Sequence, residues 1–164
     1  MKLLLLIISL SIYTPSLHQL IDTPEYRAPF IQDALQVIDA EIEAKKGFFG
    51  FTIRNTYKLV SRLDNGEVVE KSISNMLGEF LTAMEPFHQS YAVMEPDERI
   101  DFSDYLDSYN TQVTASLLAI ADRRRDLVTN GIISGTYDRF RPYARKHVSE
   151  AVPAIGRLIA KYAY

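Results

Sequence analysis

The chain contains no cysteine among its 164 residues. It therefore has no disulfide framework, thiolate nucleophile, iron–sulfur cluster or cysteine zinc site in any compartment. Glycine is scarce, at seven residues, and none of the seven forms GxGxxG or GxxxxGK[ST], so no cradle for nucleotide phosphates is visible. No serine stands in the G-x-S-x-G context of a hydrolase nucleophile. We accordingly expect no cofactor.

Histidine is also scarce, at three residues. His18, His88 and His147 are far apart in the sequence, and no HExxH or comparable pair on one helix face supplies metal ligands. His147 falls among apolar residues at helical spacing, which is typical of a hydrogen-bonded core histidine. The sequence shows no catalytic, cofactor-binding or metal-binding set, and we expect that the protein is not an enzyme.

Long apolar runs are also absent, apart from a short one at the start. Met1-Lys2 is followed by an apolar stretch to Tyr13 and by Thr14-Pro15-Ser16, which together outline a signal peptide cleaved after Ser16. Residues 1–16 are otherwise an N-terminal extension, a core-packed first helix or a misassigned start. The protein would be exported or periplasmic if cleavage occurs, and cytoplasmic otherwise. Because a membrane span takes about 20 apolar residues, we expect none.

The net charge of −3 and the pI near 5.6 provide no chain-wide attraction to phosphate backbones. Nucleic-acid binding domains usually carry a basic stripe on a basic domain. Nucleic acid is therefore not an expected partner.

What the chain does contain is helical periodicity. Apolar residues recur once per turn in five segments, at about 29–46, 49–63, 67–84, 103–125 and 134–162. Ser103 is placed to cap the fourth helix. Short connections and the lack of an alternating strand pattern predict an all-α antiparallel bundle, with residues 17–164 as one domain. Pro86 and Pro153 predict kinks, because proline lacks the N–H that an interior helical position needs.

The stretch from Leu17 to Tyr162 resembles a family of small bacterial helical proteins known only as a domain of unknown function. The segments that carry this resemblance are Leu20-Ile21-Asp22, Ile38-Asp39-Ala40-Glu41, Glu85-Pro86-Phe87, Asp104-Tyr105-Leu106, Lys146-His147-Val148 and the run from Ala151 to Ile159. The last is the most specific. The resemblance implies an all-helical fold and supplies no activity or site.

Two features suggest an interaction surface. Phe48, Phe49 and Phe51 stand at a helix junction. If exposed, they would insert at a membrane interface or anchor a partner, and if buried, they would clamp the first helix to the second, which we favour. The second feature is a basic segment in the fifth helix. Its cations are Arg139, Arg141, Arg145, Lys146, Arg157 and Lys161.

This basic segment contrasts with six acidic residues, Glu95, Asp97, Glu98, Asp101, Asp104 and Asp107. The basic residues would hold an anionic ligand or lipid headgroup, or would complement the acidic residues inside one bundle or between two copies, which we favour. We interpret the acidic residues as a solvated face beside a helix start.

The leading hypothesis is a non-enzymatic helical interaction module. It would self-associate through these opposed charges and through the apolar seam of the fifth helix, which comprises Tyr137, Phe140, Ala144, His147, Ala151, Ile155, Leu158 and Tyr162. The alternative is a carrier that holds a lipid or other small apolar ligand in the bundle interior, with Arg145 or Lys146 near an anionic headgroup.

Overall fold

The computed structural model describes residues 13–164 and shows helices without a strand over that range. The helices are α1 (Leu17–Ile21), α2 (Arg27–Glu43), α3 (Gly47–Val60), α4 (Val68–Ala92), α5 (Phe102–Ser108), α6 (Asn110–Arg125) and α7 (Gly131–Ala163). Short 3₁₀ turns at Asp64–Gly66 and Pro96–Glu98 flank α4. The predicted all-α fold is confirmed, and the proposed cleavage site after Ser16 lies within the described residues while most of the apolar run before it does not.

Residues 13–164 form seven helices, whereas the sequence predicts about five, and the difference has local causes. The Ser16 hydroxyl accepts the Gln19 N–H and the Gln19 side chain accepts the Ser16 N–H, and this capping box allows the single turn α1 to form. The predicted fourth helix divides at Tyr109, whose φ of −105° and ψ of 21° are not helical. The expectation that Ser103 caps it was wrong: the cap position is Asp101, and the buried Ser103 hydroxyl donates to the Pro153 carbonyl.

α7 is the longest of the described helices and contacts five of the others, α1, α2, α3, α5 and α6. Its 33 residues extend over about 50 Å. α2 packs antiparallel along the second half of α7, since Phe30 near the start of α2 contacts Tyr162 with ring centroids 5.3 Å apart. At the other end of α2, the Nζ atom of Lys45 lies 2.8 Å from the Glu150 Oε2 atom, near the middle of α7.

α3 continues in the same direction along the first half of α7. The Phe49 ring stacks on His147 with centroids 4.5 Å apart, and Val60 lines a groove with Tyr137. α2 and α3 therefore lie end to end along α7. The chain then reverses into α4, as predicted, through residues 64–66, which have φ values of 52°, 58° and 91°.

The hydrophobic core surrounds the second half of α7. Its fully or nearly buried side chains are Leu17, Ile21, Phe30, Ile31, Leu77, Leu81, Met84, Tyr91, Phe102, Tyr105, Leu106, Val113, Val152, Leu158 and Ile159. Among the residues of α3, in contrast, only Gly50 is buried. The bundle is thus filled around one half of α7 and open around the other.

The helices continue through their interior prolines. α4 runs through Pro86, and α7 runs through Pro142 and Pro153, so the kinks expected at Pro86 and Pro153 stay predictions. Because Pro153 has no N–H, the Ser149 carbonyl lacks its usual helical donor. The Asn110 side-chain amide of α6 donates to that carbonyl at 2.9 Å.

Candidate interaction surface

The junction between α2 and α3 determines where the three phenylalanines point. Gly47 has a φ of 70°, a left-handed conformation that favours glycine. Gly50 lies so close to the end of α2 that an added Cβ would come within 2.2 Å of the Lys45 carbonyl oxygen. The Arg54 guanidinium donates to that same carbonyl. These constraints hold the first turn of α3 tightly against the end of α2.

Of the three phenylalanines, only Phe49 points inward. Besides stacking on His147, its ring lies 5.9 Å from the ring of Phe140 and 5.2 Å from that of Tyr143. Phe48 and Phe51 are instead 85% and 59% exposed. The expectation of a buried clamp between the first two helices was therefore wrong for Phe48 and Phe51, because an α-helix with a filled inner face directs residues on the opposite side to solvent. Phe49 clamps α3 to α7 rather than to α2.

Arg141, the first basic candidate, is engaged inside the protein. Its guanidinium donates to both carboxylate oxygens of Asp122 in α6, at 2.6 and 2.8 Å. The Tyr137 hydroxyl donates to the same carboxylate. The hydrogen bonds from Arg141 and then Tyr137 hold the pKa of Asp122 well below its usual range. Arg141 therefore brings little uncompensated charge to the surface.

Lys146 and Arg145 are both exposed, but they face different sides of α7. Lys146 is 77% exposed, and its nearest carboxylate, on Glu150, is 3.9 Å away. It lines a surface groove of about 570 Å³ with Lys46, Phe49 and Tyr143. Arg145 does not line that groove, since successive helical residues point about 100° apart. The structure thus brings Lys146 and Phe49 together and leaves Arg145 outside.

The floor of this groove is charge-compensated. Glu150 accepts from Lys45 at 2.8 Å and lies 3.1 Å from His147 Nδ1. The hydrogen bond from Lys45 contributes most to lowering the pKa of Glu150. The most exposed cations of this groove are on its rim, at Lys46 and Lys146.

A second groove separates α3 from α7. Its volume is about 270 Å³, and its lining includes Ile42, Ile53, Tyr57, Val60, Phe140 and Ala144. The Tyr57 hydroxyl donates to Asp39 at 2.6 Å, and burial is the main cause that raises the pKa of Tyr57. The phenol is thus tied back to α2, and its ring faces the groove.

The acidic residues lie away from this surface. Glu95, Asp97, Glu98, Asp101, Asp104 and Asp107 are all exposed around the start of α5, which packs against the second half of α7 through Ser103 and Gly156. Over residues 13–164, no ion pair joins this acidic cluster to any of the six residues of the basic segment. The expectation of complementarity through ion pairs inside one bundle was therefore wrong, because the basic residues that do pair use other carboxylates, those of Asp122, Glu150 and Asp33. Complementarity between two copies stays a prediction.

The three histidines serve separate contacts. His88 is buried, with Nδ1 2.7 Å from the Tyr164 hydroxyl and Nε2 2.9 Å from the Pro15 carbonyl. His18 Nε2 lies 3.1 Å from the Thr82 hydroxyl. His147 is partly buried against Phe49 rather than enclosed in the core. Within the described part of the chain, no group of three or more His, Asp or Glu side chains is arranged to hold a metal ion.

Sequence reasoning missed several contributors to the surface. Lys46, Lys58, Leu59 and Tyr143 were not singled out, although all four are exposed. For the three residues on or beside α3, Lys46, Lys58 and Leu59, the sequence offers one signal. Between Glu43 and Asp64 the chain has five basic residues and no acidic one. In a chain of net charge −3, such a stretch indicates a local positive surface.

Comparison with known proteins gives a family but no activity. The model of a family described as "Family of unknown function (DUF6918)" matches residues 17–163. The chain belongs to this family, which confirms the resemblance found from the sequence. No curated protein and no solved structure matches the chain. Of the helices in residues 13–164, none has the length and apolar character that crossing a membrane requires.

Proposed function

We propose that this chain is a non-enzymatic helical interaction module whose contact surface is the outward face of α3. This face, called the α3 face below, comprises Phe48, Phe51, Asn55, Lys58 and Leu59. All five residues are exposed, and their spacing of three or four residues places them on one side of the helix. The observation that carries the proposal is the exposure of two phenylalanines beside each other on an ordered helix, since such clusters often mark interaction sites.

The apolar seam of the fifth predicted helix is a weaker candidate. Leu158 is buried, and Ile155 and Tyr162 pack against the same core. These side chains already pack inside a single copy of the protein and are not free to contact a second one. We therefore place the proposed contact on the α3 face instead of the seam.

Sedimentation velocity over a range of concentrations tests this proposal. We expect concentration-dependent association of the wild-type chain and its loss in the Phe48→Ser/Phe51→Ser variant. The matched control is Val93→Ser/Ile100→Ser, which removes two other exposed apolar side chains, next to the acidic cluster, and should associate like wild type. A strict monomer at high concentration would refute self-association.

The second candidate function is a carrier of a small apolar ligand. The specific support is the apolar groove between α3 and α7, whose volume lies near the lower limit for small-molecule sites. A ligand would then lie between two helices at the open end rather than in the filled core, with Lys146 nearby. Native mass spectrometry of the purified chain checks this: a bound mass that is lost on Ala144→Phe supports it, and a bare mass throughout argues against it.

A further inference from the structure

α3 is apolar on two opposite sides, which a helix packed on one neighbour does not need. Its inner side, with Phe49, Ile53 and Val60, faces α7 and α2. Its outer side carries Phe48, Phe51 and Leu59, all exposed. The outer side chains span about 16 Å along the helix axis. They form an apolar stripe that the chain itself leaves uncovered.

The surroundings of this stripe are positively charged. Of the five cations between Glu43 and Asp64, Lys45 is bound by Glu150 and Glu41, and Arg54 is bound by the Lys45 carbonyl. The other three are Lys46, Lys58 and Arg62, which are exposed. Within residues 13–164 none of these three forms an ion pair.

The arrangement of these cations follows the stripe. Lys46 precedes Phe48, while Lys58 and Arg62 lie beside and beyond Leu59. Lys146 and the half-exposed Tyr143 ring extend the same positive, aromatic surface across the groove that they share with Lys46. Long basic side chains at both ends of an apolar stripe can reach phosphate groups while their methylene stems lie along apolar surface.

We propose that the α3 face binds an anionic lipid bilayer, with α3 lying in the plane of the headgroup layer. Phe48, Phe51 and Leu59 would enter the boundary of the acyl chains, while Lys46, Lys58 and Arg62 contact lipid phosphates. Helices that lie in the membrane interface combine a Phe- or Leu-bearing side with flanking Lys and Arg, and anionic leaflets attract such cations. The proposal rests on the proposed function, because it names the partner of the α3 face.

A lipid surface fits this face better than a polyanion does. Contact with nucleic acid would use the three cations but would leave Leu59 without a role, because aliphatic side chains do not stack on bases as aromatic rings do. Only three large apolar side chains are available, so the attachment would be peripheral and reversible, and it would weaken at high salt.

Co-sedimentation of the full chain with vesicles tests the proposal. We expect binding to vesicles of phosphatidylcholine mixed with phosphatidylglycerol, little binding to phosphatidylcholine alone, and release at high salt. Phe48→Ser/Phe51→Ser and Lys58→Glu/Arg62→Glu should each lower the partition coefficient at least about tenfold. Val93→Ser/Ile100→Ser should bind like wild type. Circular dichroism melting identifies any variant that fails to fold. If Phe48→Ser/Phe51→Ser does not fold, the single variant Phe48→Ser replaces it.

The outcomes separate the two proposals. Absence of binding to anionic vesicles, equal binding by the Phe48→Ser/Phe51→Ser variant, or binding to duplex DNA but not to vesicles would overturn the lipid proposal. If wild type does not bind vesicles yet self-associates in a manner that Phe48→Ser/Phe51→Ser abolishes, the α3 face remains the contact surface and only the lipid proposal fails. If neither vesicle binding nor association occurs, both proposals fail.

Discussion

Gly156 of α7 lies directly against Ser103 of α5. A Cβ atom on Gly156 would come within 2.6 Å of the Ser103 Cα atom and 3.4 Å of the Phe102 carbonyl oxygen. The neighbouring atoms are backbone, so they cannot move aside as a flexible side chain would. This contact allows α5 to pack on the filled half of α7, and the Ser103 hydroxyl strengthens it by donating to the Pro153 carbonyl at 2.9 Å.

Gly156→Ala should therefore destabilise the protein. We expect a loss of about 1–3 kcal/mol in the free energy of unfolding, the usual cost of overpacking, measured by urea denaturation. The matched control is Gly135→Ala in the same helix, where an added Cβ meets nothing within 4 Å. There the change should be neutral or stabilising by up to about 1 kcal/mol, because alanine favours helix. Equal losses in both variants would contradict the packing.

The buried His88 ring joins the two ends of the described chain. The Pro15 carbonyl only accepts, so Nε2 donates to it, and Nδ1 lies 2.7 Å from the Tyr164 hydroxyl. Tyr164→Phe would leave Nδ1 without its partner and should cost about 1–3 kcal/mol in unfolding free energy. Tyr143 is as exposed as Tyr164, but among the described residues its hydroxyl makes no hydrogen bond, so Tyr143→Phe should change stability little. An unchanged melting temperature for Tyr164→Phe would refute the assigned contact.

Residues 13–16 contribute contacts that a processed chain would lack. Ser16 caps α1, and the Pro15 carbonyl accepts from His88. A chain that begins at Leu17 should melt at a lower temperature than one that begins at Tyr13. Similar melting temperatures would show that these contacts contribute little. Intact-mass measurement after expression from the native gene determines whether cleavage after Ser16 occurs.

Acid should weaken the contact between α6 and α7. The Arg141 hydrogen bonds depress the pKa of Asp122 below its ordinary value of 3.8. The stabilisation by the Asp122–Arg141 contact is therefore fully present above about pH 4 and is lost as the pH falls towards the lowered pKa. Between the two pKa values the unfolded chain binds a proton that the folded chain does not. Asp122→Asn should reduce stability at neutral pH and flatten its decline in acid, as measured by urea denaturation at several pH values.

Asp104→Asn is the control for this pH dependence. Asp104 is exposed in the acidic cluster and makes no ion pair among the described residues. Its replacement should leave the stability profile close to that of wild type. If Asp122→Asn showed the same acid decline as wild type, the Asp122–Arg141 contact would not contribute to stability.

Local sequence rules predicted the parts of the fold that local forces determine. Helical periodicity located every long helix, and Gly47 and Asp64-Asn65-Gly66 marked turns because their left-handed backbone favours those residue types. The division at Tyr109 was not predicted, since the hydrophobic period continues through it. Nor could the α7 sequence show how Pro153 is tolerated, because the compensating donor, Asn110, lies 39 residues away from Ser149.

The sequence predicted only part of the candidate surface, because contacts between helices decide which side chains stay exposed. Periodicity shows that α3 has an apolar face, but it does not tell which of two apolar sides is covered. That depends on where α7 lies, and the placement of Phe49 on His147 turned Phe48 and Phe51 outward. Arg141 was predicted as a surface cation, and only the tertiary contact with Asp122 shows that its charge is compensated.

The most direct test of the α3 face uses the absence of tryptophan from the chain. A single Phe51→Trp variant places the only tryptophan on that face, and Val93→Trp places it near the acidic cluster. We predict that the emission of Phe51→Trp shifts to shorter wavelength with increasing protein concentration and on addition of anionic vesicles, while that of Val93→Trp does not change. Unchanged Phe51→Trp emission under both conditions, or an equal shift in both variants, would contradict the assignment of this face as the contact surface.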